Sequence, residues 1–200
     1  MENIADKDLS AEQSLQLITS MIQSTRQSLQ DSSIYFLIWG WGVLLACVIQ
    51  YSLKVGMNSP YHPMAWLVLV VVFVAQILIG FKRMKKRSAR TFVEDANIYL
   101  WTAVGLGYFI SFLIFGQIGW DYCFSFYILF YGIGTYVSGK LIQFKPLFIG
   151  GLLCFPIAVA TVYVSYDMRI IMLGVAILIS YIIPGHLLRM NHQKQIRGNV

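Results

Sequence analysis

Long apolar runs alternate with short polar segments along most of the chain. The first run covers about residues 34–53 (IYFLIWGWGVLLACVIQYSL), the second 64–81, the third 98–118, the fourth 122–139, the fifth 146–166 and the sixth 170–188. Each is about 18–21 residues long, which at about 1.5 Å per residue matches a hydrocarbon layer roughly 30 Å thick. Runs such as Val68–Val74 do not alternate apolar with polar positions, as the strands of a membrane barrel would. Backbone groups in lipid must be hydrogen-bonded within their own segment, so the runs predict helices. The fold class expected is all-α: a polytopic membrane protein of six transmembrane helices arranged as three hairpins.

Ahead of the first run, Asp8–Ser33 is polar but periodic. Leu15, Ile18, Ile22 and Leu29 recur at helical spacing, and Ser10 followed by Gln13 has the form of a capping box. This predicts a cytoplasmic amphipathic helix, lying on the membrane, pairing with a copy of itself, or packing under the bundle. With Arg26 as its single basic residue, the surface-lying arrangement is the least favoured. The organisation expected is therefore an N-terminal segment 1–33, a membrane domain 34–188 and a cytoplasmic tail 189–200. No apolar stretch follows a basic start, so the first span is expected to act as the targeting signal.

Composition agrees. Apolar residues make up 58% of the 200 residues, charged residues 12%, and the mean hydropathy is +0.66. Soluble domains carry roughly 25% charged residues, enough to cover an outer surface. The net charge of +6 does not point to nucleic acid, because the basic residues sit between the runs and at the chain ends. Thirteen fall on one side: Lys7, Arg26, Lys82, Arg83, Lys85, Lys86, Arg87, Arg90, Lys140, Lys145, Arg189, Lys194 and Arg197. Only Lys54 and Arg169 fall on the other. That split makes the first side cytoplasmic, with both ends inside, and favours an even number of spans.

Chemistry is sparse. No Asp, Glu, Lys or Arg lies in the middle of a run, where coupled pumps and carriers place ionisable groups. His62, His186 and His192 show no ligand spacing, and Cys47, Cys123 and Cys154 are odd in number with no CxxC. No GxSxG, Walker or protease constellation is present, so neither an enzyme nor a cofactor or metal site is expected.

Three sets of residues remain as candidate sites. Lys82, Arg83, Lys85, Lys86, Arg87 and Arg90 form a basic loop that either fixes topology or also contacts anionic lipid head groups. Ala103, Gly107 and Ser111 on the third span, and Gly134 and Ser138 on the fourth, form small-residue stripes suited to helix packing within the chain or between copies. Gln50, Gln76, Pro156 and Pro184 could line a cavity, since each proline frees a carbonyl; membrane helices also tolerate proline without function. The starts of the first and third runs, Ile34-Tyr35 before Trp39 and Ile98-Tyr99 before Trp101, each followed by a GxG, leave a tandem hairpin repeat open.

The stretch SLQLITSMIQSTRQSLQDSSIYFLIWGWGVLLACVIQY, residues 14–51, resembles the opening of a family of uncharacterised small multi-span membrane proteins of Bacteroidetes-type bacteria. These have an SLxLIxxMI-like helix followed by FLxWGW, matched here by Leu15, Leu17, Ile18, Met21, Ile22, Phe36, Leu37, Trp39, Gly40 and Trp41. The resemblance covers about a quarter of the chain and implies a bacterial inner membrane. Such proteins often occur near small transcriptional regulators, which implies an accessory or sensor-like part; no residue inherits a role from it.

The function expected is non-enzymatic, acting through protein–protein interaction as a scaffold, sensor or accessory subunit. The partners would be membrane lipids together with a second copy or another membrane protein. The alternatives are a passive channel or uncoupled transporter of small or lipophilic molecules, and inner-leaflet lipid binding.

Overall fold

The computed structural model describes residues 33–84 and 92–198, and the elements below are those among the described residues. All are helical. They are α1 (Ser33–Tyr51), α2 (Val68–Met84), α3 (Phe92–Ile118), α4 (Cys123–Leu141), α5 (Lys145–Ala160), α6 (Tyr166–Ile177) and α7 (Ile183–Gly198). A π turn, Ser52–Gly56, extends α1, and a 3₁₀ turn, His62–Leu67, leads into α2. A second π turn, Leu178–Ile182, joins α6 to α7 without a break. The amphipathic segment 8–32, and Lys85, Lys86, Arg87 and Arg90, lie outside the described residues, as does the side chain of Arg83.

Five stretches are long and apolar enough to cross a membrane: Ser33–Gly56, His62–Lys82, Val93–Ile118, Lys145–Tyr163 and Tyr166–Met190. The described residues thus form an all-helical protein with the helices of a membrane protein. α4 is not one of the five: besides Lys140 and three tyrosines, its apolar content is diluted by Ser125, Gly132, Gly134, Thr135, Ser138 and Gly139. These small residues are buried inside the protein. A helix screened from lipid by its neighbours does not need a wholly apolar surface.

The helix ends differ from the expected ones for local reasons. The third run begins at Phe92, with Glu94 and Asp95 in the first turn, where the helix dipole favours acidic groups. Pro63 does not lie in a loop; it occupies the first turn of His62–Leu67, where its missing N–H costs nothing. Asp167 and Arg169, which fall between the fifth and sixth apolar runs, lie in the opening turns of α6. The polar tail expected from Arg189 continues as helix to Gly198. Gly119, at a φ of +103°, closes α3 with its N–H on Phe115 O at 2.9 Å, a conformation L side chains rarely adopt.

α1, α4, α5 and α6 with its π turn supply the core, which includes Val43, Ile128, Leu147, Ile170, Leu173, Ile177 and Tyr181. α4 and α5 make the closest pairing. A Cβ built on Gly151 would lie 2.7 Å from Thr135 Oγ1 and 2.8 Å from Tyr136 Cα. One built on Gly139 would lie 2.7 Å from Phe148 Cα. The two backbones therefore touch through glycine, as in tightly packed membrane helix pairs. α2 packs on α1 and α3 on α4, and both leave most of their surface outside the bundle.

Candidate functional site

Two groups of side chains bring polar chemistry together. The first joins the helix ends opposite the basic loop. Gln50, 1% exposed near the end of α1, is its hub. Its Oε1 accepts from Trp66 Nε1 at 2.9 Å, and its Nε2 donates to Tyr166 Oη at 3.2 Å and lies 3.5 Å from His62 Nδ1. Lys54 forms an ion pair with Asp167 while its Nζ sits 4.0 Å from the centroid of the Tyr166 ring. The amide of Gln50 is thus engaged at both ends, and a network satisfied in this way stiffens the helix ends instead of lining an open path.

Arg169 completes this end. It falls between the fifth and sixth apolar runs, yet it is only 9% exposed. Its Nε donates to Val164 O at 3.0 Å, Nη2 to Val162 O at 3.4 Å, and Nη1 to Asp121 O. Its Cζ lies 4.8 Å from the centroid of the Tyr122 ring. The guanidinium fork therefore ties the α5–α6 turn to the α3–α4 turn through carbonyls that have no helical donor. Beside it, Ser125 and Thr161 share a 2.7 Å hydrogen bond between α4 and the end of α5.

The second group lies within the bundle. Trp101 of α3 lays its indole across Gly134, where an added Cβ would meet Cη2 at 2.7 Å. Its Nε1 donates to Ser138 Oγ at 3.0 Å, and Ser138 donates to Asn97 Oδ1 at 2.7 Å. Gly107 faces the Phe130 ring, Ser111 is buried and Ala103 is exposed. The small residues Gly134 and Ser138 are therefore a socket for an indole of the same chain.

Around Trp101 the rings continue. Tyr181 lies 5.3 Å from Tyr131, 5.6 Å from Phe36 and 6.0 Å from Trp101 between centroids. Tyr131 in turn lies 5.3 Å from Tyr108 and accepts from Trp39 Nε1 at 3.3 Å. Tyr181 Oη is the exception: it is buried and has no hydrogen-bond partner among the described residues. Leaving such a group unpaired costs about 1–3 kcal/mol.

The prolines divide. Pro156 lies inside α5 with its ring exposed, whereas Pro184 is fully buried. In the π turn Ile183 N–H bonds to Leu178 O, and Pro184 has no N–H to give Ile179 O. That carbonyl lies against Gly150, where an added Cβ would come within 2.5 Å of it. The gap opened by Pro184 is thus closed by the neighbouring helix, with a Cα–H facing the oxygen. Gln76 donates to Tyr35 O at 3.0 Å. The structure consequently does not gather Gln50, Gln76, Pro156 and Pro184 around one space.

Of the basic loop, Lys82 is exposed at the end of α2. All three cysteines are buried and free. Among the described residues, no three His, Cys, Asp or Glu side chains are placed to hold a metal ion.

Sequence reasoning missed Arg169 as a clamp, Tyr181 as an orphan, and Gly139 and Gly151 as the packing seam. The last had a signal: Gly132, Thr135 and Gly139 repeat small residues on one face of α4, where Gly132 and Thr135 meet Gly151. The chain matches no protein-family model, no curated protein and no solved structure.

Proposed function

We propose that this chain is a six-span protein of the bacterial inner membrane, with both ends cytoplasmic, that works by binding a partner protein instead of by catalysis or coupled transport. The observation that carries this reading is the use of the interior polar groups on one another: Gln50 on Trp66 and Tyr166, Ser138 on Trp101 and Asn97, Ser125 on Thr161. Groups committed to neighbouring helices are not free to pass a solute or activate a substrate. Among the described residues, α2 and α3 leave most of their surface uncommitted, with Val71, Phe73, Leu78, Phe109 and Leu113 exposed.

The topology rests on two supports. α4 is 19 residues long, about 28 Å of helix, enough to cross the hydrocarbon layer beside α3 and α5. Counting it as a span puts thirteen of the fifteen Lys and Arg residues on one side. Tyr61, Trp120, Tyr122 and Tyr163 are exposed around the opposite end, as in an interfacial aromatic belt.

Photo-crosslinking residues placed at Val71 and Phe109 in native membranes test the partner reading. A discrete crosslinked protein, or a dimer confirmed by mass photometry in nanodiscs, is the expected outcome. A monomer that gives no discrete adduct from either position refutes it. Topology is tested separately with Tyr163→Cys and Lys140→Cys, since the native thiols are buried. An impermeant maleimide should label the first in intact cells and the second only after permeabilisation; the reverse pattern refutes the orientation.

A further inference from the structure

The α1–α2 and α3–α4 hairpins meet in an unusual way. Neither α1 nor α2 has an extensive backbone contact with α3 or α4. The seam between them is spanned by rings: Trp39 to Tyr131, Phe36 to Trp101, and Tyr181 of the π turn between them. Among the described residues α2 and α3 share no extensive contact, and Trp39 and Trp101 are half-buried.

At the floor of this seam is the unpaired hydroxyl of Tyr181, whose residue is 2% exposed. The neighbouring polar atoms are already occupied: Trp101 Nε1 by Ser138, and Trp39 Nε1 by Tyr131. An orphaned buried donor calls for an explanation, and π turns are frequent at functional sites.

Depth selects the ligand. Tyr181 lies fifteen residues from Tyr166 and eight from Arg189, about 22 Å and 12 Å along the helix. Its side chain leans toward the helix N-terminus, which brings the hydroxyl near the middle of the span. Tyr131, its ring neighbour, is likewise at the middle of α4. Phospholipid ester carbonyls sit at the edge of the layer, about 15 Å from its centre, and do not reach this level. A neutral planar molecule dissolved in the bilayer does.

The geometry points to a binding site for a planar conjugated carbonyl compound of the quinone class, entering from the bilayer between α2 and α3. Its ring stacks among Phe36, Trp101 and Tyr131, and its carbonyl oxygen accepts a hydrogen bond from Tyr181 Oη. Binding needs the bridging rings to part, so occupancy shifts the two hairpins relative to one another. The site is independent of the partner reading, and a failed crosslinking experiment leaves it intact.

The test uses the full chain in nanodiscs titrated with decylubiquinone. The wild type should show saturable quenching of tryptophan fluorescence, above that of a membrane-dissolved tryptophan ester in the same discs, together with a raised melting temperature. Tyr181→Phe keeps the ring and removes only the hydroxyl. It should bind about five- to tenfold more weakly, the loss of one hydrogen bond, while melting higher than wild type without the quinone. Equal affinity of wild type and Tyr181→Phe overturns the proposal. So does quenching in the wild type that fails to saturate beyond the ester control.

Discussion

The contact between α4 and α5 makes a sharp prediction through Gly151. Replacing it with alanine adds one methyl group to the face where the two backbones touch. That methyl would lie 2.7 Å from Thr135 Oγ1 and 2.8 Å from Tyr136 Cα. Ordinary carbon contacts begin near 3.5 Å, so something must move by more than about half an ångström. The obstacle is helical backbone and a buried Thr135 whose hydroxyl is already held by Tyr131 O at 2.6 Å, so rotamer adjustment alone cannot absorb the clash. The helices must separate along a seam that also contains Gly132 and Gly139.

Overpacking of this kind costs about 1–3 kcal/mol, offset by up to about 1 kcal/mol from alanine's higher helix propensity. The net loss for Gly151→Ala should be about 1–2 kcal/mol. Gly80→Ala on α2 and Gly105→Ala on α3 serve as references, because a Cβ at either position meets nothing within 4 Å. They should be neutral or gain up to about 1 kcal/mol. Denaturant titration in mixed micelles, followed by tryptophan fluorescence, ranks the three against wild type. If Gly151→Ala is as stable as Gly105→Ala, the seam is looser than described and the packing argument fails.

Gln50→Leu removes the acceptor of Trp66 and a partner of Tyr166, so the same titration should register a loss of about 1–3 kcal/mol. No loss would mean that Gln50 faces water and not the network. Arg169→Met strips three carbonyls of their donor and should cost at least about 2 kcal/mol. Arg169→Lys should recover only part of it, because a single ammonium cannot reproduce the fork; full recovery would refute the clamp. Lys54→Ala breaks an ion pair whose side chains are 29% and 44% exposed, so it should cost less than about 1 kcal/mol and less still in high salt.

How much of this was legible in the sequence depends on which surroundings a residue answers to. Lipid and water leave their mark residue by residue, so the helical runs and the basic bias between them can be read directly. α4 shows where that reading weakens. Its Ser125, Thr135 and Ser138 look too polar for lipid, yet each is satisfied by a side chain or carbonyl within the protein. Hydropathy registers contact with lipid, and a helix wrapped by its neighbours escapes it. The charge alternation does not depend on burial, which is why the proposed six-span topology rests on it and not on hydropathy. Gln50 fails in the opposite sense: a glutamine near a helix end is equally compatible with a solvent path and a closed network. Only the positions of Trp66 and Tyr166, 16 and 116 residues away, decide between them.

The two prolines make the same point within single helices. Pro156 and Pro184 have identical local chemistry: each removes one N–H and strains the turn before it. Pro156 sits with its ring exposed on α5, and α5 remains helical through it. Pro184 is buried, the turn before it is a π turn, and the carbonyl it leaves without a donor meets a glycine of the adjacent helix. The sequence holds both halves of that match, Pro184 and Gly150, 34 residues apart and with no pattern linking them. The same π turn carries Tyr181, whose hydroxyl finds no such complement. A backbone defect closed by its neighbour and a side chain left open on the same five residues mark this turn as the part of the bundle where packing was solved for the main chain and not for the tyrosine. That asymmetry is why the tyrosine, and not the proline, is the place to look for a ligand.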